Sequence, residues 1–217
     1  MEPAGRASER ELRVPLDREA LPGVLRTPAG SQGLVVFAHG SGSSRLSPRN
    51  RLVALALNEA GLATYLTDLL LPREADDRRL VFDVDLLRDR LALATEGVRA
   101  EVDVDLPLGY FGASTGAAAA LAAAARTEDA ARAVVSRGGR PDLALPVLGR
   151  VRAPTLLIVG GRDDAVIGLN QQALAALRCE RRLEIVAGAT HLFEEAGALE
   201  RVAALARGWF VEHLVRA

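Results

Sequence analysis

One serine stands between two glycines where an apolar stretch gives way to an alanine-rich one. The stretch GYFGASTGAAAALAAAA (residues 109–125) holds Gly112, Ser114 and Gly116 in the spacing G-x-S-x-G. A serine on a sharp strand-to-helix turn takes a strained backbone conformation, and the residues two before and two after it must lack bulk. Its hydroxyl is then held near a helix N-terminus, whose dipole favours developing negative charge. The pattern predicts Ser114 as a nucleophile, with a plain structural turn as the alternative.

An activated serine needs a base, and three histidines are available. His213 falls on the apolar face of the last predicted helix and is interpreted as a core-edge residue, while His39 directly follows a strand. His191 stands in VAGATHLFEE, between the last predicted strand and the last predicted helix. That position lies at the carboxyl ends of the strands, the edge of the sheet at which Ser114 also lies. His191 is therefore the predicted base.

The base needs an acid that orients it, and the candidates follow the run TLLIVGG. The spacing G-G-x-D-x-x-V indicates Asp163 as the acid, with Val166 opening the next helix and Asp164 as its predicted N-cap. Asp142, in SRGGRPD after the preceding strand, is the alternative, because that loop faces the same edge of the sheet.

Small residues also follow the third predicted strand, in FAHGSGSS (residues 37–44). Backbone N–H groups of such a loop can turn toward a nucleophile and stabilise an oxyanion. The predicted donors are the N–H of Ser41 and the N–H of Thr115, directly after the nucleophile. His39 would then brace the loop. A plain glycine-serine turn is the alternative.

These residues need a scaffold, and the chain alternates short branched-apolar runs with helical patterns. Such alternation is typical of a mainly parallel sheet covered by helices, here of about eight strands after an opening hairpin. Predicted strands lie in ELRVPL, PGVLRTP, GLVVFAHG, LATYLTDLLL, LPLGYFG, ARAVVS, APTLLIVGG and RRLEIVAG. Predicted helices cover residues 48–60, 84–98, the alanine run, 166–178 and 197–215. Ser47 and Pro48 are expected to begin the first of them, and Gly61 to end it.

Length and composition limit the possible functions. The 217 residues predict a single α/β domain, 1–217, without room for a large lid, and hence an open pocket for small or accessible esters. A formal net charge of −1 argues against nucleic-acid or anionic-membrane partners. No cluster has ligand-like spacing, so neither a metal nor a cofactor is expected.

The expected location is cytoplasmic. Cys179 is the only cysteine, which excludes an intrachain disulfide and fits a reducing compartment. The first residues contain no apolar segment of a secretory leader, and no apolar run is long enough to cross a membrane.

With these motifs in register, the chain resembles the α/β-hydrolase family, and within it the small, lidless dienelactone-hydrolase-like branch. The resemblance covers nearly the whole chain from residue 33. It is carried by LVVFAHGSGSSRLSPRNRLVALALNEAGLATYLTDLL, LGYFGASTGAAAALAAAA, AVVSRGGRPDLA, APTLLIVGGRDDAVIGLN and GATHLFEEAGAL. It implies an α/β-hydrolase fold, with Ser114 as nucleophile, His191 as base and Asp163 as acid.

The sequence also departs from this family. Dienelactone hydrolases use a cysteine nucleophile, whereas this chain has serine. They hold a substrate carboxylate with arginines, one of them shortly after the catalytic histidine, and here Glu194 and Glu195 occupy that stretch, which disfavours an anionic lactone. Four arginines of the carboxyl-end loops are candidates for an anion contact, with loop-bracing ion pairs as the alternative: Arg45, Arg49, Arg137 and Arg140.

The expected activity is hydrolysis of small carboxylic esters or lactones through an acyl-enzyme. Acyl transfer to an alcohol or to peroxide by the same residues is one alternative. A non-catalytic ligand-binding protein with a hydrolase fold is the other.

Overall fold

The computed structural model describes residues 7–102, 106–126 and 131–215, and eight strands within them form one sheet. In chain order the strands are β1 Ser8–Leu16, β2 Glu19–Thr27, β3 Leu34–Ala38, β4 Ala63–Thr67, β5 Leu108–Ala113, β6 Ala133–Arg137, β7 Thr155–Gly160 and β8 Arg181–Val186. Their order across the sheet is β1-β2-β4-β3-β5-β6-β7-β8. Strands β1 and β2 form an antiparallel hairpin, β2 pairs antiparallel with β4, and all other pairs are parallel. The prediction of about eight mostly parallel strands behind an opening hairpin is confirmed.

Helices connect the parallel strands. They are α1 Pro48–Glu59, α2 Arg78–Val81, α3 Val84–Arg99, α4 Thr115–Ala124, α5 Asp164–Ala176 and α6 Ala198–Leu214, with a 3-10 helix at Pro141–Arg150. The predicted start of α1 is confirmed, because the Ser47 side chain accepts a hydrogen bond from the Asn50 N–H. Its predicted end is also confirmed, because Gly61 takes the positive φ (77°) that follows many helix ends.

The two faces of the sheet carry different helices. Helices α1 and α6 cover one face, and α3, α4 and α5 cover the other. All ten residues of α4 are buried, so this helix shows no polar face. Its alanines keep it thin, which allows close packing against the sheet, against α3 and against the 3-10 helix. The serine turn at its start is therefore fixed in a densely packed layer.

The predicted strand LATYLTDLLL is shorter than expected, because β4 ends at Thr67. Asp68 accepts hydrogen bonds from the backbone N–H and the guanidinium of Arg45, and the Leu69 N–H donates to His39. These bonds direct the chain away from the sheet. Residues 68–83, which we call the cleft wall, then run over the carboxyl edge of the sheet.

A membrane crossing by a helix requires a long apolar segment. Among the described residues, no helix combines the necessary length and apolarity. The expectation that no secretory leader is present concerns the first residues of the chain, and 1–6 of these lie outside the described part.

Candidate active site

The serine turn joins β5 to α4, and Ser114 occupies it with a φ of 51° and a ψ of −121°. A non-glycine residue in this region of backbone space is strained and is held there by its surroundings. The Ser114 N–H donates to the Arg137 carbonyl over 3.2 Å, and the Ser114 carbonyl accepts from the Arg140 N–H over 3.0 Å. The predicted strained strand-to-helix turn is confirmed. Hydrogen bonds from the end of β6 and from the loop after it hold both the N–H and the carbonyl of Ser114.

The glycines around Ser114 are required by close backbone approach. A Cβ atom at Gly116 would lie 2.3 Å from the Ala38 carbonyl oxygen and 2.4 Å from that of His39. A Cβ at Gly112 would lie 2.4 Å from the Cα of Ala117, in the first turn of α4. Both distances are far below van der Waals contact, which confirms that the positions flanking the serine must lack bulk.

Gly116→Ala is expected to lower the melting temperature by several degrees, because a methyl group forced against two carbonyls costs roughly 1–3 kcal/mol. Gly208→Ala, in α6, is the matched control: no atom lies within 4 Å of its added Cβ. It should be neutral or stabilise by roughly 0.4–1 kcal/mol. Thermal unfolding followed by circular dichroism compares the two variants. A Gly116→Ala protein that melts at or above the wild type would contradict the close approach.

His191 and Asp163 are joined directly. His191 Nδ1 lies 2.6 Å from Asp163 Oδ2, so the ring donates its Nδ1 proton and leaves Nε2 as an acceptor. The Asp163 side chain is 15% exposed and that of His191 37% exposed, so the carboxylate lies behind the ring and the ring faces outward. Of the two candidate acids, Asp163 is the one that contacts His191.

The predicted capping role of Asp164 is wrong. Helix α5 begins at Asp164 itself, two residues before Val166, and Asp163 occupies the N-cap position without capping the helix through its side chain. The physical reason is the histidine contact, which takes the carboxylate of Asp163. Asp164 instead lies in the first turn, where the helix dipole favours a negative charge.

The alternative acid, Asp142, has a different partner. Arg140 Nε and Nη2 donate to its two carboxylate oxygens over 2.9 and 2.8 Å. This pairing raises the pKa of the Arg140 guanidinium. Asp142 therefore braces its own loop, in the first turn of the 3-10 helix.

The loop that carries His191 is fixed by its own backbone. The Thr190 N–H donates to both carboxylate oxygens of Glu195 over 3.1 Å, which lowers the pKa of that carboxyl. Phe193 takes a positive φ (56°) and is 1% exposed, so its ring anchors the loop in the core. A Cβ at Gly160 would lie 2.5 Å from the Thr190 carbonyl oxygen, so the end of β7 packs directly against the loop that carries His191.

Ser114 and His191 flank one short loop without forming a hydrogen bond. A Cβ built on Gly138 would lie 3.6 Å from His191 Cε1, the ring atom next to Nε2. Gly138 follows Arg137, whose carbonyl binds the Ser114 N–H. The Ser114 Oγ makes no hydrogen bond with any described residue.

His39 braces the loop after β3, as predicted. Its Nδ1 donates to the Gly40 carbonyl over 2.9 Å, and its Nε2 accepts from the Leu69 N–H over 3.1 Å. Both ring nitrogens of the neutral form are therefore satisfied in a site that is 8% exposed. Burial lowers the pKa of His39 below its ordinary value of 6.5.

The lowered pKa of His39 predicts a loss of stability in mild acid. The unfolded chain takes up a proton near pH 6.5 while the folded form resists it, so the free energy of unfolding should fall as the pH drops below that value. Urea unfolding of the wild type and of His39→Gln between about pH 5.5 and 7.5, above the range of ordinary carboxylates, measures the effect. The non-titrating variant should be less stable overall and less dependent on pH. An equal pH slope in both proteins would contradict the assignment.

Three of the four candidate arginines bind acidic neighbours. Arg45 contacts Asp68, Arg140 contacts Asp142 as described, and Arg49 lies 3.4 Å from Glu194. Ion pairs that brace loops are therefore the better interpretation of these three.

Arg137 differs from the other candidates because it is buried and has no carboxylate partner among the described residues. Its Nη2 donates to Asn50 Oδ1 over 3.2 Å, and its guanidinium carbon lies 5.9 Å from the centre of the Phe193 ring. Burial and the nearby charge of Arg49 lower its pKa to about 10, so it stays charged at neutral pH. It links the end of β6 to α1 and to the histidine loop.

A cleft of about 570 Å³ opens between the loop after β3 and the cleft wall. Ser41 and Thr115, the predicted oxyanion donors, both line it. Its apolar lining includes Leu46, Leu70, Pro72, Val81 and Leu87. Behind the wall, Arg90 donates to both carboxylate oxygens of Glu74 and lowers the pKa of that carboxyl. Sequence reasoning missed the wall, although Asp68 and Pro72 mark the end of the strand.

His213 lies at the edge of the core, as predicted. Its ring meets that of Trp209 edge-on at a centroid distance of 4.5 Å, and its Nε2 is 3.8 Å from Glu180 Oε1. With Glu212, these residues offer ligand atoms within 4.8 Å of one another. Both carboxylates are exposed, and exposed acidic groups commonly cluster without a metal ion.

Sheet order, helix placement and the serine turn together define an α/β-hydrolase fold. A crystal structure of a dienelactone hydrolase from Anabaena variabilis is 52% identical, covers 97% of this chain and 100% of its own, and superposes with a TM-score of 0.92. The chain therefore belongs to the dienelactone hydrolase family, as the sequence indicated.

Other comparisons give less specific information. A cold-adapted esterase from an Arctic intertidal metagenomic library shares the fold at 17% identity, with a TM-score of 0.80 over 96% of this chain and 94% of its own. Two Mycobacterium tuberculosis proteins, provisionally named phosphoribosyl transferases, are 56% identical over 207 residues. That match covers 95% of this chain but 47% of theirs, so the chain spans about half their length. No family model matches the chain.

Proposed function

We propose that the protein is a serine hydrolase that cleaves carboxylic esters or lactones through an acyl-enzyme. The observation that carries the proposal is the 2.6 Å hydrogen bond between His191 Nδ1 and Asp163 Oδ2, which leaves Nε2 as a base. The strained turn at Ser114, one loop away, supports it. The dienelactone hydrolase relative and the esterase with the same fold agree with this class of reaction.

In the proposed reaction, Ser114 Oγ attacks the carbonyl carbon as His191 takes the serine proton. Asp163 holds the imidazole tautomer and stabilises the imidazolium that forms. His191 then gives the proton to the leaving alcohol oxygen, and the acyl group stays on Ser114. A water molecule that loses a proton to His191 attacks the acyl-enzyme, releases the carboxylic acid and restores the serine.

The Thr115 N–H is the proposed direct donor to the oxyanion, while the Ser41 N–H, the other predicted donor, donates to Thr115 Oγ1 over 3.1 Å. Thr115 is the first residue of α4, where a backbone N–H has no acceptor within the helix. The helix dipole adds partial positive charge at the same place.

The proposed substrate is a neutral ester or lactone with an apolar acyl or alcohol part. A volume of about 570 Å³ suits a small organic molecule, and one side of the cleft is apolar. Arg45 and Arg140 are bound to carboxylates of the protein, which leaves them poorly placed to hold a substrate anion. The proteins named as phosphoribosyl transferases are about twice as long as this chain, so that activity is not proposed for it.

The test is turnover of p-nitrophenyl esters of increasing acyl length, with products analysed in the presence and absence of methanol and hydrogen peroxide. Ester cleavage with the free acid as the main product supports the proposal. A dominant methyl ester or peracid would replace hydrolysis by acyl transfer to the added nucleophile. No turnover, together with no covalent labelling by a fluorophosphonate, would indicate a ligand-binding protein and overturn it.

A further inference from the structure

The Thr115 hydroxyl lies between the loop after β3 and the serine turn. Its Oγ1 accepts a hydrogen bond from the Ser41 N–H over 3.1 Å. Thr115 is only 2% exposed, yet it lines the cleft together with Ser41. A hydroxyl that accepts one hydrogen bond still has a proton to donate. Within the described parts of the chain, no acceptor takes the proton of this hydroxyl.

The helix itself offers no acceptor for this proton. Inside a helix, a threonine hydroxyl can donate to the carbonyl four residues earlier, as Thr95 does to Leu91 over 2.7 Å. Thr115 is the first residue of α4, and the chain four residues before it belongs to β5. The hydroxyl proton is therefore left for a ligand in the cleft.

The tight packing around the turn keeps this arrangement close to Ser114. A Cβ at Gly40, the residue before Ser41, would lie 2.8 Å from Ser114 Cβ. The Ser41 N–H, the Thr115 hydroxyl and the Ser114 side chain therefore adjoin one another. Of the two groups, the Ser41 N–H already has an acceptor, whereas the Thr115 hydroxyl proton has none among the described residues.

We infer that Thr115 supplies two donors to the oxyanion, its backbone N–H and its side-chain hydroxyl, and that the Ser41 N–H acts through that hydroxyl. Hydrogen bonds in a chain polarise one another, so a hydroxyl that accepts from an N–H donates more strongly. The inference rests on the proposed function, because it requires an oxyanion to form at Ser114. It makes Thr115 a catalytic residue through its side chain.

If the Thr115 hydroxyl only blocked the Ser41 N–H, its removal would change turnover in the opposite direction. If the hydroxyl only occupied the Ser41 N–H, removing it would free that N–H for the oxyanion, and turnover would be unchanged or faster. If the hydroxyl donates to the oxyanion, removing it deletes a transition-state hydrogen bond, and turnover falls. The direction of the change separates the two roles.

The experiment compares kcat and KM for a p-nitrophenyl ester in the wild type, Thr115→Val and Thr115→Ser. Loss of one oxyanion donor typically lowers kcat by about 10²–10³-fold. Thr115→Val should show a fall of about 10²-fold with little change in KM, and Thr115→Ser should stay within several-fold of the wild type. Binding of phenylboronic acid, whose serine adduct places an oxygen in the oxyanion position, should weaken in Thr115→Val by a similar factor.

Thr155→Val is the matched control. Thr155 is fully buried and its hydroxyl donates to the Ala153 carbonyl over 2.9 Å at the start of β7, the opposite end of that strand from Asp163. The Thr155→Val variant loses a comparable threonine hydrogen bond and should keep the wild-type kcat. If Thr115→Val does not fold, Thr115→Ala serves in its place, with thermal unfolding as the check.

An unchanged or raised kcat in a folded Thr115→Val protein, or unchanged boronic acid binding, would overturn the inference. An equal fall in Thr115→Ser would also overturn it, because that variant keeps the hydroxyl. These outcomes differ from failure of the proposed function, in which the wild type itself neither hydrolyses esters nor binds the boronic acid.

Discussion

Ser114→Ala is expected to remove nearly all ester turnover. Without the Oγ there is no acyl-enzyme, and in serine hydrolases loss of the nucleophile lowers kcat by about 10⁵–10⁶-fold. The fold should persist, because the backbone bonds of Ser114 to Arg137 and Arg140 do not involve its side chain. Steady-state kinetics and thermal unfolding of the purified variant measure both expectations.

Ser136→Ala is the matched control for the loss of a serine hydroxyl. Ser136 is fully buried on β6, and its Oγ has no hydrogen-bond partner among the described residues, so truncation should cost little. A fluorophosphonate should label the wild type and Ser136→Ala, and should not label Ser114→Ala. Turnover of more than about a hundredth of the wild-type rate in Ser114→Ala would place the nucleophile elsewhere.

Asp163→Asn is expected to lower kcat by about 10⁴-fold, because an amide can no longer hold the imidazole in the required tautomer or stabilise its charged form. Asp142→Asn is the control, since Asp142 binds Arg140 instead of His191. It should change kcat only several-fold. Kinetics of both variants with the same ester make the comparison.

A large loss of kcat in Asp142→Asn, with activity kept in Asp163→Asn, would assign the acid to the loop after the preceding strand.

The double variant Ser114→Ala/Asp163→Asn tests whether the two residues act together. Residues that act as one unit give non-additive losses, so the double variant should be no slower than Ser114→Ala alone. Additive losses would mean that Asp163 acts independently of the serine.

Much of the fold could be predicted because local sequence patterns indicate its strands and helix ends. Buried parallel strands form continuous apolar runs, as in β3 and β7, and the caps of α1 lie in the sequence at Ser47 and Gly61. The serine turn could be predicted because its pattern G-x-S-x-G is local, although the carbonyls that exclude a side chain at Gly116 belong to Ala38 and His39, which are distant in the sequence.

The failures all involve partners that are distant in the sequence. The end of β4 is set by contacts of Arg45 and His39, and the apolar residues that follow Asp68 in LATYLTDLLL extend the strand pattern beyond that end. Asp164 fitted the local rule for a helix cap, but the contact between Asp163 and His191 decides how that helix begins. The bond from Ser41 to Thr115 spans 74 positions in the sequence, and no local pattern indicates it.

The cleft wall is anchored by Arg90, whose guanidinium binds Glu74 and the Leu69 carbonyl, whereas Leu70, Pro72 and Val81 line the cleft. The residues that anchor this short segment are therefore different from those that line the cleft. Leu70, Pro72 and Val81 can be varied without loosening the anchor, and none of them belongs to the proposed reaction chemistry. Under the proposed function, substitutions at these lining positions should change the preference for the acyl or alcohol part of the ester and leave the chemical step unchanged.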